Sequence, residues 1–371
     1  MTLPREIEEK IRILIGIGEP RKEPALRRDL FELADDFRHR DPNENHYADA
    51  YLAYNFPSNL MKVISVMNEV GILHLHTFPV RDRYDVLDIG SGEGAGLFGF
   101  FFARNGMSES KFSLHGIDAS PKMLEKCRAF GDHLAARHTN LRISLSRRRL
   151  TPFPEREIEG LYDAILCVNA LAEITPAGPL NPKLVIELLR HLKPSGIIVI
   201  IEPALKILAR RLMNLRDELT GRSSARIVLP CLHDASCPLL RIASRDEWCH
   251  ETRVWDPPTY LLRLNQGLNR EIDQLKFSFL VLARGKPEEP STHAYRVISR
   301  RIKEKGKTKC YLCAAQGRME TVRLDKDRSE SNAAFDEIRQ GDVLSFENAE
   351  IKESRIKIIK LSSIKICSST Y

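Results

Sequence analysis

Two groups of residues in this 371-residue chain have types and spacings that can do chemistry. The first is YDVLDIGSGEG, Tyr84 to Gly94. Val86, Leu87 and Ile89 give an apolar β run that Asp88 closes. Gly90, Gly92 and Gly94 then make a turn that side-chain-free residues can hold while a ligand lies against the backbone. An apolar helix, LFGFFFARNG, comes next. A strand, a glycine turn and a helix N-terminus aim backbone N–H groups at a small polar or anionic ligand, with Ser91 among them. About twenty-four residues beyond Gly94 a second strand, FSLHGID, ends on Asp118, where an acid accepts hydrogen bonds from ribose hydroxyls.

The second group lies in ARIVLPCLHDASCPLLRIASRDEWCHETRVW, which holds Cys231, Cys237 and Cys249 with His233 and His250. Soft thiolates on irregular backbone, punctuated by Pro230 and Pro238, are what a metal site needs. The gaps do not match the paired Cys-x-x-Cys knuckles of common zinc sites. A tetrahedral centre wants a fourth ligand, and His233, Cys310 and Cys313 are the candidates. Cys310 and Cys313 in KCYLCAAQG also read as a redox pair or half of a zinc site. Cys167, on an apolar run, reads as a small buried thiol rather than a nucleophile, and Cys367 carries no role.

The elements that must position these groups are predicted by periodicity. Residues 1 to 80 show helical spacing through LRRDLFELADDF and LAYNFPSNLMKVISVMNEVGIL, which predicts a helical cap on the domain that begins at Arg81. Strands are expected near 84–89, 112–117, 141–145, 162–168 and 196–201, with helices between them, the order of a parallel doubly wound sheet. HLKPSGIIVIIEPA predicts a helix end, a turn and a buried fifth strand ending on Glu202. FSFLVLARG predicts a last sheet strand, Pro287 to Pro290 a linker, and residues 295 to 366 a small β domain. The expected fold is therefore α/β. A helical cap covers 1–80, a sheet domain 81–285 carries a cysteine-rich insertion at about 206–255, and a basic β-rich domain covers 286–371.

Length and a hydrophobic content of 43% supply ample core for two or three domains. No run of about eighteen apolar residues predicts a membrane span. The first twenty residues lack the pattern of a secretion signal or transit peptide, so the cytoplasm is the expected location. Eight cysteines in so long a chain argue for thiols or metal ligands over a disulfide framework. The net charge of +7 is concentrated. Arg296, Arg300, Arg301, Lys303, Lys305, Lys307 and Lys309 form one run, Arg147 to Arg149 a second, and Lys206, Arg210, Arg211, Arg216, Arg222 and Arg226 a third. Three such runs favour a polyanion partner, RNA above others.

The order Asp88, Gly90, Gly92, Gly94 resembles the S-adenosylmethionine loop of class I methyltransferases more than the nicotinamide pattern. Asn169 ends the fourth strand where such enzymes present substrate-facing residues, but the Asn-Pro-Pro-aromatic signature is missing. PCLHDASCPLL and EWCHE, downstream of that loop and of IIVIIEPA, resemble the predicted ribosomal small-subunit methyltransferases whose mitochondrial members act in mitoribosome assembly. The resemblance runs from about Tyr47 to the end. It implies a class I methyltransferase-like fold, S-adenosylmethionine held by Asp88, Gly90, Ser91, Gly92, Gly94, Asp118 and Asn169, and association with small-subunit rRNA. It also implies a four-iron, four-sulfur (4Fe-4S) cluster on Cys231, Cys237, Cys249 and Cys313, with Cys310 the second choice for the fourth ligand and zinc the alternative metal. His233 and His250 then stand beside the ligands or face RNA. Two departures are Asn55-Phe56-Pro57, where the family has Arg-x-Pro, and Glu251, where it has an aromatic. The implied function is an rRNA methyltransferase; the alternative is an inactive assembly factor using the fold as an RNA-binding platform. A radical enzyme is disfavoured, because the cysteines lack the tight Cys-x3-Cys-x2-Cys run.

Overall fold

The computed structural model describes residues 1–19, 22–39, 47–107, 109–149, 158–175, 178–221, 225–242, 247–266, 268, 270–285 and 293–368. Arg222 and the linker Pro287 to Pro290 lie outside the described residues. Contacts divide the chain into two units.

The first unit gathers residues 1–68, 80–174 and 254–275. Its strands are β1 (Arg83–Ile89), β2 (Lys111–Asp118), β3 (Leu141–Arg147) and β4 (Tyr162–Val168). They lie in the order β3-β2-β1-β4, all parallel. In β1 Tyr84, Val86, Leu87 and Ile89 are all buried, which is why it reads as an apolar run and not as an alternation: both faces of a parallel strand are covered. Three helices, α1 (Arg5–Ile15), α2 (Lys22–His39) and α3 (Ala48–Leu73), precede the sheet; α4 (Ala95–Arg104) and α5 (Pro121–Ala135) make the crossovers. Ser120 caps α5, its Oγ accepting the Met123 N–H at 3.2 Å with Pro121 at the first helical position. Helix α3 lies on α4 at backbone distance, since a Cβ on Gly99 would stand 2.7 Å from Val63 Cβ and 2.9 Å from the Leu60 carbonyl oxygen. Phe56, within the Asn55-Phe56-Pro57 departure, stacks on Phe130 with centroids 4.7 Å apart, so that segment is core. A short helix, α6 (Leu171–Ile174), comes after β4.

The second unit gathers residues 69–79, 175–253 and 276–371. It holds α7 (Pro182–Arg190), β5 (Leu192–Pro203), α8 (Lys206–Gly221), β6 (Ala225–Leu229), β7 (Glu251–Val254) and β8 (Gln274–Arg284). β8 runs antiparallel between β5 and β6. β5 starts earlier than expected: the Pro-Ser-Gly segment sits within it, accommodated by Ser195 at φ 57°. Beyond residue 293 come β9 (Tyr295–Val297), β10 (Ile302–Glu304), β11 (Lys307–Ala314), β12 (Gly317–Leu324), β13 (Val343–Glu347), β14 (Glu350–Lys352), β15 (Arg355–Ile358) and β16 (Ser363–Ser368). They form one sheet in the order β14-β15-β12-β11-β9-β13-β16, with β10 on β11. Tyr295, Val297, Cys310, Leu312, Phe335 and Leu344 are in its core. The α/β class, the leading helices and the β-rich C-terminal domain are thus as expected. No helix among the described residues is long and apolar enough to cross a membrane.

One buried charge cluster ties the second unit together. Glu69 accepts from Arg253 at 2.6 Å and from Arg296 at 2.5 Å. Glu251 stands 3.5 Å from Arg253 and 3.6 Å from Arg296. All four side chains are nearly inaccessible to solvent. Arg296 also donates to the carbonyls of Pro230 (2.5 Å) and Gly341 (2.8 Å). Two buried guanidiniums need both carboxylates, because an unpaired buried charge is costly. Arg296, read from sequence as part of a basic run favouring a polyanion partner, is therefore a buried structural cation. The reason is the carboxylate pair that receives it.

Burial alone would push the Glu69 carboxyl up, but Arg296 and Arg253 together hold it below the ordinary range. A depressed folded-state value means stability that is present above the unfolded value, about 4.3, and lost as pH falls through the lower folded value. Glu69→Gln is expected to cost about 3–5 kcal/mol at neutral pH and to remove part of the acid sensitivity below about pH 4. Urea midpoints across pH check this; an unchanged midpoint at pH 7 contradicts it.

Candidate functional site

The loop after β1 is built by backbone conformations that glycine supplies. Gly90, Gly92 and Gly94 take φ of 70°, 51° and 91°, the left-handed region that other residues enter at a cost. The N–H groups of Gly90 and Ser91 donate to the Ile117 carbonyl at 2.9 and 3.0 Å, and Gly94 closes on Ser91 O at 2.7 Å. A Cβ on Gly90 would meet Ala170 Cβ at 2.4 Å, and one on Gly94 would meet Phe98 at 2.5 Å and Cys127 Sγ at 2.8 Å. Gly92 differs: a Cβ there would meet nothing within 4 Å. Two glycines are thus fixed by packing, and the middle one borders open space.

Asp118, at the end of β2, reaches across to this loop. Its Oδ2 accepts the Gly92 N–H at 2.8 Å and its Oδ1 the Ser120 N–H at 2.8 Å. Each carboxylate oxygen keeps a further lone pair for a hydroxyl. Burial raises its pKa, and these N–H donors temper the rise. Asp88 is buried behind the loop, its Oδ2 packed where a Cβ on Gly96 would come within 2.4 Å. Burial pushes this carboxyl well up; the Leu97 N–H moderates the push, though neither oxygen has a donor at hydrogen-bonding geometry among the described residues. Ser91 Oγ and Asn169 Oδ1 are likewise buried without a partner among the described residues. Asn169, just beyond β4, sits at φ 57°. Unsatisfied buried polar atoms in a native fold call for an explanation. Asn169 precedes Ala170, which faces Gly90, so a polar ligand at the loop would satisfy its oxygen, while Asp88 stays behind the loop against Gly96 and Ser91 Oγ lies toward Gly116. The acceptors Asp118 and Asn169 beside a glycine turn fit the adenosyl cofactor that the resemblance implies.

In the second unit the cysteines separate by strand geometry. Along β11 the buried residues are Thr308, Cys310, Leu312 and Ala314. Cys310 therefore points into the β-domain core, where burial raises its thiol to about 12. Cys313, three residues on, lies on the opposite face. Its thiol is raised first by burial and then by Cys231 and Cys237. Cys249 is raised by burial and by Cys231, Cys237 and Cys313, and Cys237 to about 11 by burial and Cys231. Four thiols thus share one electrostatic environment, and Cys310 is not among them. Cys231, Cys237 and Cys249 line one cavity of about 30 Å³ together with Met213, Arg216 and Glu251.

No three His, Cys, Asp or Glu side chains among the described residues are arranged to hold a metal ion. A single zinc ion draws its ligands to one point, whereas a four-iron cluster sits among its thiolates and holds them farther apart. Four thiols suit either kind of group, a structural zinc or an iron–sulfur cluster. Cys231 and Cys237 make ionisation of Cys249 and Cys313 harder, and a cationic centre would offset that cost.

Backbone and side chains from several elements hold these thiols. Asp217 accepts the Cys237 N–H with both oxygens, at 2.9 and 3.0 Å. Ser278 Oγ donates to the Cys249 carbonyl at 2.9 Å, and the Cys249 N–H meets Met213 Sδ at 3.3 Å. His233 Nδ1 faces the Ala235 carbonyl at 3.2 Å, so Nε2, 3.7 Å from Cys313 Sγ, is the acceptor for that thiol. Burial and Arg216 bring the His233 pKa down to about 4. The His250 ring stands 5.7 Å from that of Trp248, and its carbonyl accepts from Gln340 at 2.7 Å. Glu251, the second departure from the family pattern, belongs to the buried charge cluster.

The basic runs are corrected in part. Arg216 is 3% exposed and donates to Asp217 (2.6 Å) and to the His233 carbonyl (2.7 Å); like Arg296 it is not a surface charge. Lys307 and Lys309 both pair with Glu304. Arg147, Arg148, Arg149, Arg300, Lys303 and Lys305 are exposed. Glu69 carries no sequence signal that marks it as part of a site, and Arg216 and Glu251 stand out only as one member of a basic run and one departure from the family pattern.

The chain matches the family described as mitochondrial small ribosomal subunit Rsm22 over residues 45–345. No curated protein matches it. Among solved structures it is similar to the plantazolicin methyltransferase BpumL in complex with SAH, at 14% identity over 75% of this chain and 99% of that one, TM-score 0.37. It is also similar to magnesium protoporphyrin IX methyltransferase of Synechocystis PCC 6803 with bound SAM, at 13% identity over 69% and 97%, TM-score 0.38. A third is precorrin-6y C5,15-methyltransferase of Geobacter metallireducens, at 13% identity over 61% and 88%, TM-score 0.34. Likenesses this distant carry no argument about ligand or activity.

The glycine geometry predicts an order of stabilities. Gly90→Ala meets both the Ala170 contact and a left-handed backbone, and is expected to cost about 2–4 kcal/mol. Gly92→Ala carries the backbone cost alone, about 1–2 kcal/mol. Thermal unfolding of the two variants checks this, and a Gly92 variant less stable than the Gly90 variant contradicts it.

Proposed function

The chain belongs to the Rsm22 family, and from that premise we propose an S-adenosylmethionine-dependent methyltransferase-like protein that acts on small-subunit rRNA and carries a 4Fe-4S cluster. The observation that carries the cofactor reading is the loop after β1. A positive-φ glycine borders open space, its N–H is held by Asp118, and the segment after β4 that packs on Gly90 carries the unsatisfied Asn169 oxygen. Gly90, Ser91, Gly92 and Gly94 would take the cofactor against their backbone, Asp118 its ribose hydroxyls, and Asn169 Oδ1 a polar hydrogen. When bound, S-adenosylmethionine supplies an electrophilic methyl group on a sulfonium sulfur. The chain's contribution is alignment, since a fixed, desolvated cradle can supply much of the rate without a side-chain base. No catalytic residue is assigned.

For the cluster we propose Cys231, Cys237, Cys249 and Cys313 as ligands, over Cys310 and over zinc. The opposite faces of β11 and the shared environment of the four thiols support Cys313 over Cys310, and the family resemblance supports a cluster over zinc. The polyanion partner rests on the exposed basic residues and on the family's ribosomal description. We place the chain with the small ribosomal subunit of its own compartment, read from sequence as the cytoplasm.

Anaerobically purified Cys313→Ser is expected to lose its iron and Cys310→Ser to retain it, with Cys310→Ser less stable by about 1–3 kcal/mol from a hydroxyl in the β-domain core. Iron and sulfide assays decide; iron lost only from the Cys310 variant reverses the assignment. Asp118→Asn combined with Gly92→Val is expected to abolish S-adenosylmethionine binding and rRNA methylation while ribosome association persists. Methylation unchanged in that variant would leave a platform without catalysis.

A further inference from the structure

Arg216 has no part in the proposed methyl transfer, although it is a buried cation in the wall of the cysteine cavity. Three observations set it apart. One of its two terminal nitrogens donates to Asp217 at 2.6 Å and the other to the His233 carbonyl at 2.7 Å, but its buried Nε–H has no acceptor among the described residues. Its guanidinium lines the same cavity as the Cys231 thiol and interacts with it electrostatically. Its carboxylate partner, Asp217, is partly exposed, with a side-chain accessibility of 25%, so solvent screens part of that pairing. Arg296 also faces Cys231, but Glu69 and Glu251 already take up its charge.

A guanidinium with a spare buried donor beside a cysteine thiol is placed to meet negative charge that thiols alone do not carry. A four-iron cluster on four thiolates is anionic, and hydrogen bonds and charges around the sulfurs set its reduction potential. Building on the cluster reading under Proposed function, we infer that Arg216 is a positioning residue that offsets the charge of the group held by Cys231, Cys237, Cys249 and Cys313, with Nε–H as its donor. Asp217 is its counterweight and also holds the Cys237 N–H. Helix α8 therefore presents one cation and one anion to the cysteine loop, and their balance sets how readily the bound cluster accepts an electron.

The test is a potentiometric titration of anaerobically purified full-length protein, monitored by visible absorption and electron paramagnetic resonance. Dithionite gives one electron to the cluster, and no bond is made or broken. Arg216→Gln is expected to shift the midpoint potential downward, since a lost cation makes added negative charge harder to hold. Arg216→Lys is expected to recover part of that shift. Asp217→Asn, which keeps an acceptor for the Cys237 N–H, is expected to shift it upward. If Arg216→Gln fails to hold iron, the Asp217 variant decides by the sign of its shift. Iron-loaded variants with the wild-type potential, or shifts of the opposite sign, overturn the inference. Wild-type protein without iron overturns the cluster reading itself, a separate outcome.

Discussion

The second unit depends on keeping two buried guanidiniums paired. Arg253 and Arg296 share Glu69 and Glu251, and loss of either carboxylate would strand a charge away from solvent. Satisfying Arg296 fixes β9 beside Pro230 and Gly341, and each contact has a consequence for the thiols. Pro230 precedes Cys231, Glu251 lies two residues beyond Cys249, and β9 pairs with β11, where Val297 sits opposite Leu312 and Cys313 is next in line. Charge pairing thus sets the approach of three segments distant in sequence. A buried ion cluster is a poor source of net stability but a strong source of registry, because wrong pairings leave a charge uncompensated.

The first unit rests on a different constraint, the close approach of backbone to backbone. Gly99 lets α3 lie on α4, and Gly90 and Gly94 let the loop pass Ala170 and Phe98. Of the three loop glycines, Gly92 is spared a packing role. That difference ties the shape of the loop to its chemistry: rigid flanks hold one open peptide whose N–H is already oriented by Asp118. Asp88 contributes from behind, where the apolar body of α4 keeps water away from its carboxyl.

Much of this was legible in the sequence. The five expected strands appear because runs such as VLDI and IIVII are apolar on both faces and end on an acid, glycine or proline. Spacing alone left Cys310 and Cys313 open; strand alternation separates them, since residues three apart on a strand face opposite sides, and that separation supports the proposal of Cys313. Arg216 and Arg296 were read as members of basic runs facing a polyanion, and both are buried. Their neighbours in sequence are other basic residues, whereas Glu69 is 227 positions from Arg296. Local composition cannot announce a partner that distant. Glu251 stood out only as a departure from a family pattern, and its function in the charge cluster required the fold.

X-ray absorption at the iron and zinc edges of the anaerobically isolated chain tests the central claim, that four thiols from the α8–β7 segment and β11 hold one polynuclear centre. Iron with sulfur neighbours and iron–iron scattering, and no stoichiometric zinc, is the expected result. Zinc in place of iron, or iron with nitrogen neighbours from His233, would contradict it.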